Sequence, residues 1–154
     1  MGIKAFQNYA TLTQSPLVLA PVIESFFFSL EHQERSVLLG YLVLPIVLHP
    51  PSRQFLWNAK STSSLITFCK NKDFLAGLSV RVERWKHITG IAMQNSVSCN
   101  YLEVKEDLSV AAGQVTNVVD GLMPKETKAA KKLAHLMSPY SVPAVYRILG
   151  VGKL

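Results

Sequence analysis

The hydrophobic pattern is dominated by one run, Val37 to Leu48, which reads VLLGYLVLPIVL; no Asp, Glu, Lys or Arg occurs from Ser36 to Ser52. The run is too short to cross a bilayer as a helix, which takes ~20 apolar residues. A helix apolar on all sides belongs inside a core, so the pattern predicts a central helix buried on most faces. Pro45 removes one backbone donor and disfavours helical geometry at Leu44, which predicts a kink or an early stop there. His49-Pro50-Pro51 ends the helix. Leu42, Leu44, Ile46 and Leu48 are expected in the core together with Trp85.

Polar breaks divide the remaining chain. Ser15-Pro16 is a helix start, with a capping residue followed by proline at the first helical position, and that helix is expected to run to about Gln33. Its second half carries Phe26, Phe27 and Phe28. Core packing is the preferred explanation. Three consecutive phenylalanines cannot share one helix face, however, which leaves a partner-facing aromatic patch as the alternative. Ser52 to Lys60 is read as a loop with a short helical turn. Ser61 to Ser64 caps a helix over about 64–70, and Asn71-Lys72-Asp73 breaks and caps again.

Phe74 to Lys86 places Leu75, Leu78, Val82 and Trp85 on one helical face, with Arg81 and Arg84 off it. Ile88, Ile91, Ala92 and Val97 predict a second helix, Ile88 to Ser98, whose outward residues are Thr89, Gly90, Gln94, Asn95 and Ser98. Leu102 and Val104 alternate as a strand, Lys105-Glu106-Asp107 turns, and Leu108 to Ala112 returns. Helix, turn, helix and hairpin is the order of a winged helix-turn-helix. Glu126 to Met137 turns Ala129, Ala130, Leu133 and Met137 inward. Val142 to Leu149 closes the chain as a helix, with Pro143 near its start and Gly150 at its end. The expected fold is mainly α with a small two-stranded β-hairpin, a winged helix-turn-helix-like single domain. Residues 1–14 are an N-terminal extension and 15–154 the helical domain. The winged-helix-like module covers about 64–112, and the C-terminal helices lie within 125–150.

Composition adds a few constraints. A chain of 154 residues suffices for one real core. With 49% hydrophobic and 17% charged residues, it is not a disordered chain. Charge below the usual ~25% implies either surface covered by partners or simply a large core. The net charge is +6, and the excess is uneven: from Pro124 onward only Glu126 opposes the lysines and Arg147. Such an end suits nucleic acid or an acidic protein surface, and equally a solvated, solubilising helix face. Cys69 and Cys99 show no ligand spacing, so zinc is not expected and both thiols are read as free and buried in a cytoplasmic protein. No signal-peptide pattern follows Met1.

No Gly-x-Gly-x-x-Gly, Walker A or Gly-x-Ser-x-Gly motif is present. The four histidines are scattered. His49 has no acid nearby in sequence to orient it, and a structural role, such as bonding a backbone carbonyl at a helix end, is preferred. The Ile88 helix itself carries no Arg or Lys, so little on it would anchor phosphates. A protein-interaction scaffold is preferred over a sequence-specific DNA reader.

The central run also carries a resemblance. Leu42 to His49, followed by Pro51-Ser52-Arg53, resembles the signature of the middle component of ABC three-component systems. Ser15 to Leu19 is similar to that family's first helix, Ser61 to Leu65 to its Thr-Ser-Leu element, and Val142 to Val151 to its closing tyrosine-leucine-glycine segment. The resemblance runs from about Gln14 onward. It implies a small subunit, without catalytic residues, cofactor, metal or membrane span, that accompanies an SMC- or Rad50-like ABC ATPase and an effector protein such as a nuclease. Lamassu-type defence complexes have this layout, and their middle components are thought to contain a winged helix. On this resemblance Pro45, His49, Pro51 and Arg53 form a structural motif. Lys125, Lys128, Lys131 and Lys132, with Arg84 and Lys86, are the candidate contacts to a partner or nonspecifically to DNA. A stand-alone winged-helix regulator, and a hydrolase built on His49, are the alternatives.

Overall fold

A computed structural model describes residues 14–115 and 122–152. The N-terminal extension expected over 1–14 therefore lies, except for Gln14, outside the described residues. Among the described residues eight α-helices and one hairpin follow in order: α1 (Pro16–Ser29), α2 (Gly40–Val47), α3 (Pro50–Trp57), α4 (Leu65–Cys69), α5 (Lys72–Leu75), α6 (Leu78–Ser98), β1 (Leu102–Val104), β2 (Val110–Ala112), α7 (Pro124–Met137) and α8 (Val142–Leu149). The mainly helical fold with one small antiparallel sheet is as the sequence predicts.

The centre is α1, packed against both α6 and α7, with α2 on α6 and α3 on α7. Burial on two sides explains the triple phenylalanine: Phe26 and Phe27 are both buried, edge to face at 5.2 Å, and Phe28 packs against the same core. The helix stops at Ser29 rather than near Gln33. Beyond it the polar residues bond across the molecule. The Gln33 amide donates to the Ser138 carbonyl at 2.9 Å and the Glu31 amide to Ser138 Oγ, which caps the end of α7 instead of prolonging α1.

The apolar run opens as a 3₁₀ turn over Ser36–Leu39 and continues as α2. Leu42, Leu44 and Ile46 are fully buried as expected, whereas Leu48 and Trp85 are only half-buried. The stop expected near Leu44 does not occur. Pro45 costs one donor, but the Leu48 amide still bonds the Leu44 carbonyl at 3.0 Å, and burial of every residue from Leu42 to Val47 outweighs the loss. Gly40 is required by closeness: a Cβ there would stand 2.6 Å from Met93 Sδ and 3.0 Å from the Phe27 ring.

Two other boundaries move. The expected loop at 52–60 is mostly helix α3, because Pro50 sits at the first helical position, where its missing amide costs nothing. The predicted helices 74–86 and 88–98 are one continuous helix, α6, of 21 residues; the break lies earlier, at Gly77, whose φ is +70°. No turn separates the two halves where it was expected, between Lys86 and Ile88; the turn falls at Gly77, between α5 and α6, and the hairpin follows α6. Leu102 pairs with Ala112 and Val104 with Val110. The hairpin docks on the 3₁₀ turn: the Arg35 and Val37 amides donate to the Asp107 and Leu108 carbonyls, and the Val110 amide donates to Ser36 Oγ.

Ser64 and Asn71 cap α4 and α5 with their side chains, as their positions predict. At the other end of the chain Ser141 caps α8, and the Tyr146 hydroxyl donates to the Leu38 carbonyl, fastening α8 to the 3₁₀ turn. Burial pushes that phenol well above its ordinary pKa, with Tyr41 adding to the shift. The thiols differ from expectation. Cys69 is half-buried, with burial raising its pKa to about 11, and Cys99 is exposed.

Candidate partner-binding face

Helix α7 separates its residues cleanly. Ala129, Ala130, Leu133 and Met137 have no exposed surface, and Lys125, Lys128 and Lys131 lie on the solvent side. Glu126, in the first turn, complements the positive end of the helix. The inner face packs on α1 and α3, and α3 carries the signature Pro51-Ser52-Arg53. The structure thereby joins two features that are far apart in sequence.

The junction is built from three contacts. Arg53 Nη1 lies 3.2 Å from Glu126 Oε1. Lys128 Nζ stands 3.9 Å from the centroid of the Trp57 ring, a cation–π arrangement. Lys132 Nζ donates to the Ala59 carbonyl at 2.9 Å, so its charge is committed to the end of α3. Pro50, Arg53, Gln54, Trp57 and Lys125 line a groove of about 270 Å³ beside these contacts. Five cations (Arg53, Lys125, Lys128, Lys131 and Lys132) thus share one face with Glu126, and Trp57, 40% exposed, gives that face an aromatic surface. Trp57 was not singled out in the sequence, because the stretch that holds it reads as a loop.

Arg84 and Lys86 stand apart from this face. They belong to α6, which packs on α1 and α2. Thr89, expected to point outward, has no exposed surface, and Gly90 is half-buried near Tyr41. Of the five residues expected to point outward from the Ile88 helix, only Gln94 and Ser98 are exposed. Part of that face is covered because α6 continues unbroken through Trp85 to Ile88.

The motif residues are structural in different ways. His49 is the capping residue of α3, and its Nδ1 lies 2.8 Å from Ser52 Oγ, so its partner is a hydroxyl and not the backbone carbonyl expected. Burial, followed by the positive Arg81 nearby, lowers its pKa and favours the neutral ring. The pair has the composition of a nucleophilic dyad, but Ser52 has no exposed surface on which to meet a substrate. Pro45 is buried in α2. Its carbonyl receives Arg81 Nε at 3.0 Å, and the other two guanidinium nitrogens donate to the Ala76 and Phe74 carbonyls at 2.7 and 2.9 Å. Arg81 closes the ends of both α2 and α5, a role that its sequence position, merely off the apolar face, does not reveal.

Among the described residues no helix is long and apolar enough to cross a membrane, and no group of three or more His, Cys, Asp or Glu could hold a metal. A family model described as ABC-three component (ABC-3C) system Middle Component 3 matches residues 3–153. The match begins earlier than the resemblance read from the motifs, which starts near Gln14. No curated protein and no solved structure gives a significant match.

Proposed function

The chain belongs to the Middle Component 3 family of ABC-three component systems, and on that premise we propose that it is a non-catalytic adaptor in the cytoplasm. It joins an SMC- or Rad50-like ABC ATPase to an effector, such as a nuclease, in a defence complex of the Lamassu kind. The observation that carries the reading is the α3–α7 face. It brings Lys125, Lys128 and Lys131 to the surface beside Arg53 and an exposed Trp57, while Ser52 below them is buried. Such a face engages phosphate or acidic protein surface without reading sequence. The regulator reading is weaker, since Thr89 is buried and Gly90 and Asn95 are half-buried, which leaves Gln94 and Ser98 as the exposed polar residues of that helix face.

The test replaces Lys125, Lys128, Lys131 and Lys132 with Ala in the complete complex. Assembly is followed by co-purification, and DNA affinity across a salt series. Intact assembly with weaker binding and a shallower salt slope assigns the face to DNA, because each lost phosphate contact lowers the slope by about 0.9. Lost assembly assigns it to an acidic partner surface. Wild-type behaviour in both assays contradicts the proposal.

A further inference from the structure

A second feature lies on the side of α1 that meets α6. A cavity of about 180 Å³ opens between them, lined by Leu17 and Pro21 from α1, Asn95 and Ser96 from α6, and Tyr101 before β1. Glu24 also lines it. This side chain is only 6% exposed, and among the described residues its Oε2 has no hydrogen-bond partner. A buried carboxyl oxygen without a partner is costly, and native structures seldom keep one without a reason. Burial raises the Glu24 pKa, and the Ser96 hydroxyl only partly offsets this. At the mouth, Leu17 is 73% exposed, so the cavity has an apolar rim above an acidic floor.

We propose that this cavity is the socket for a single arginine or lysine side chain of a partner protein. The aliphatic stem would lie along Leu17, Pro21 and Tyr101, and the cationic head would meet Glu24 at the floor. Long basic side chains are suited to such sites because they bury their stems along apolar surface. Among the described residues Glu24 is the one charged residue lining the cavity, and the chain as a whole carries +6. The partner segment therefore presents one cation among apolar neighbours, since a basic run would be repelled. This site is separate from the α3–α7 face and does not depend on the identity of the ATPase.

Acetyl-arginine amide and its neutral isostere acetyl-citrulline amide, titrated into the full chain, test the socket. The signals followed are the Asn95 side-chain amide and the Tyr101 backbone amide in nitrogen–proton spectra. The arginine probe is expected to shift both signals saturably and to bind at least about tenfold more tightly than citrulline. Glu24→Gln, which keeps the shape, should abolish that difference. Leu17→Ala, at an exposed position, should weaken the arginine probe while leaving its preference over citrulline intact. Equal binding of the two probes, binding of neither, or an undiminished preference in Glu24→Gln would overturn the proposal.

Discussion

Replacing Arg81 by methionine should destabilise the chain more than any other change at a position outside the apolar core. Met keeps much of the stem packing and removes three donors at once. The Pro45 carbonyl depends on Arg81 because the His49 amide, which would serve it in a continuing helix, bonds the Ile46 carbonyl instead. Phe74 and Ala76 face a similar deficit where α5 ends ahead of Gly77. A hydrogen bond to a charged group contributes ~1.5–3 kcal/mol. The Pro45 and Phe74 bonds are part-buried and the Ala76 bond is exposed. Water would take over the exposed bond and some of the others, so a net loss of about 2–4 kcal/mol is expected. At roughly 3 °C per kcal/mol for a chain of this size, Tm should fall by about 6–12 °C. Arg81→Lys, with one nitrogen to share among carbonyls at the ends of two helices, should lie between. Urea melts of the three proteins give the differences directly. A methionine variant as stable as wild type would refute the clamp, as would a lysine variant with no loss.

Three further outcomes follow from the same structure. Leu44→Ala, at a fully buried site, should cost ~2–5 kcal/mol in denaturant melts; an unchanged midpoint would remove α2 from the core. Gly40→Ala forces a methyl against Met93 and Phe27 and should cost about 1–3 kcal/mol, whereas a neutral or stabilising result would mean that this contact yields freely. Glu24 binds its proton more tightly in the folded chain than in the unfolded one, because burial raises its pKa above 4.5. Wild type should therefore lose stability relative to Glu24→Gln as pH rises from about 4.5 toward the raised native value. A difference between the two proteins that stays constant with pH would show that Glu24 titrates as an exposed carboxyl does.

Most elements were legible because they rest on local chemistry. Ser15-Pro16, Ser64, Asn71 and Gly150 mark helix ends that the structure keeps, and the alternation of Leu102 and Val104 locates the hairpin. The errors arose where distant contacts decide. Helix α1 ends early because Gln33 serves the last carbonyls of α7, 105 residues away in sequence. Helix α6 runs through its polar middle because α1 and α2 cover Thr89 and Ala92. The basic residues of α7 were visible as a cluster, and Arg53 as part of a motif. Their shared face depends on the packing of α3 on α7, and no local pattern encodes that. Trp57 and Arg81 escaped for the same reason, since each gains its role from a partner far along the chain.

The proposed adaptor role is tested most directly by co-expressing this chain with a candidate ATPase and a candidate effector of its ABC-three component system. The purified material is then examined by size-exclusion chromatography with light scattering. The account predicts one stable particle containing all three proteins, in which the ATPase and effector no longer co-elute when this chain is omitted. A chain that elutes alone, or an ATPase–effector complex that forms equally well without it, would contradict the account.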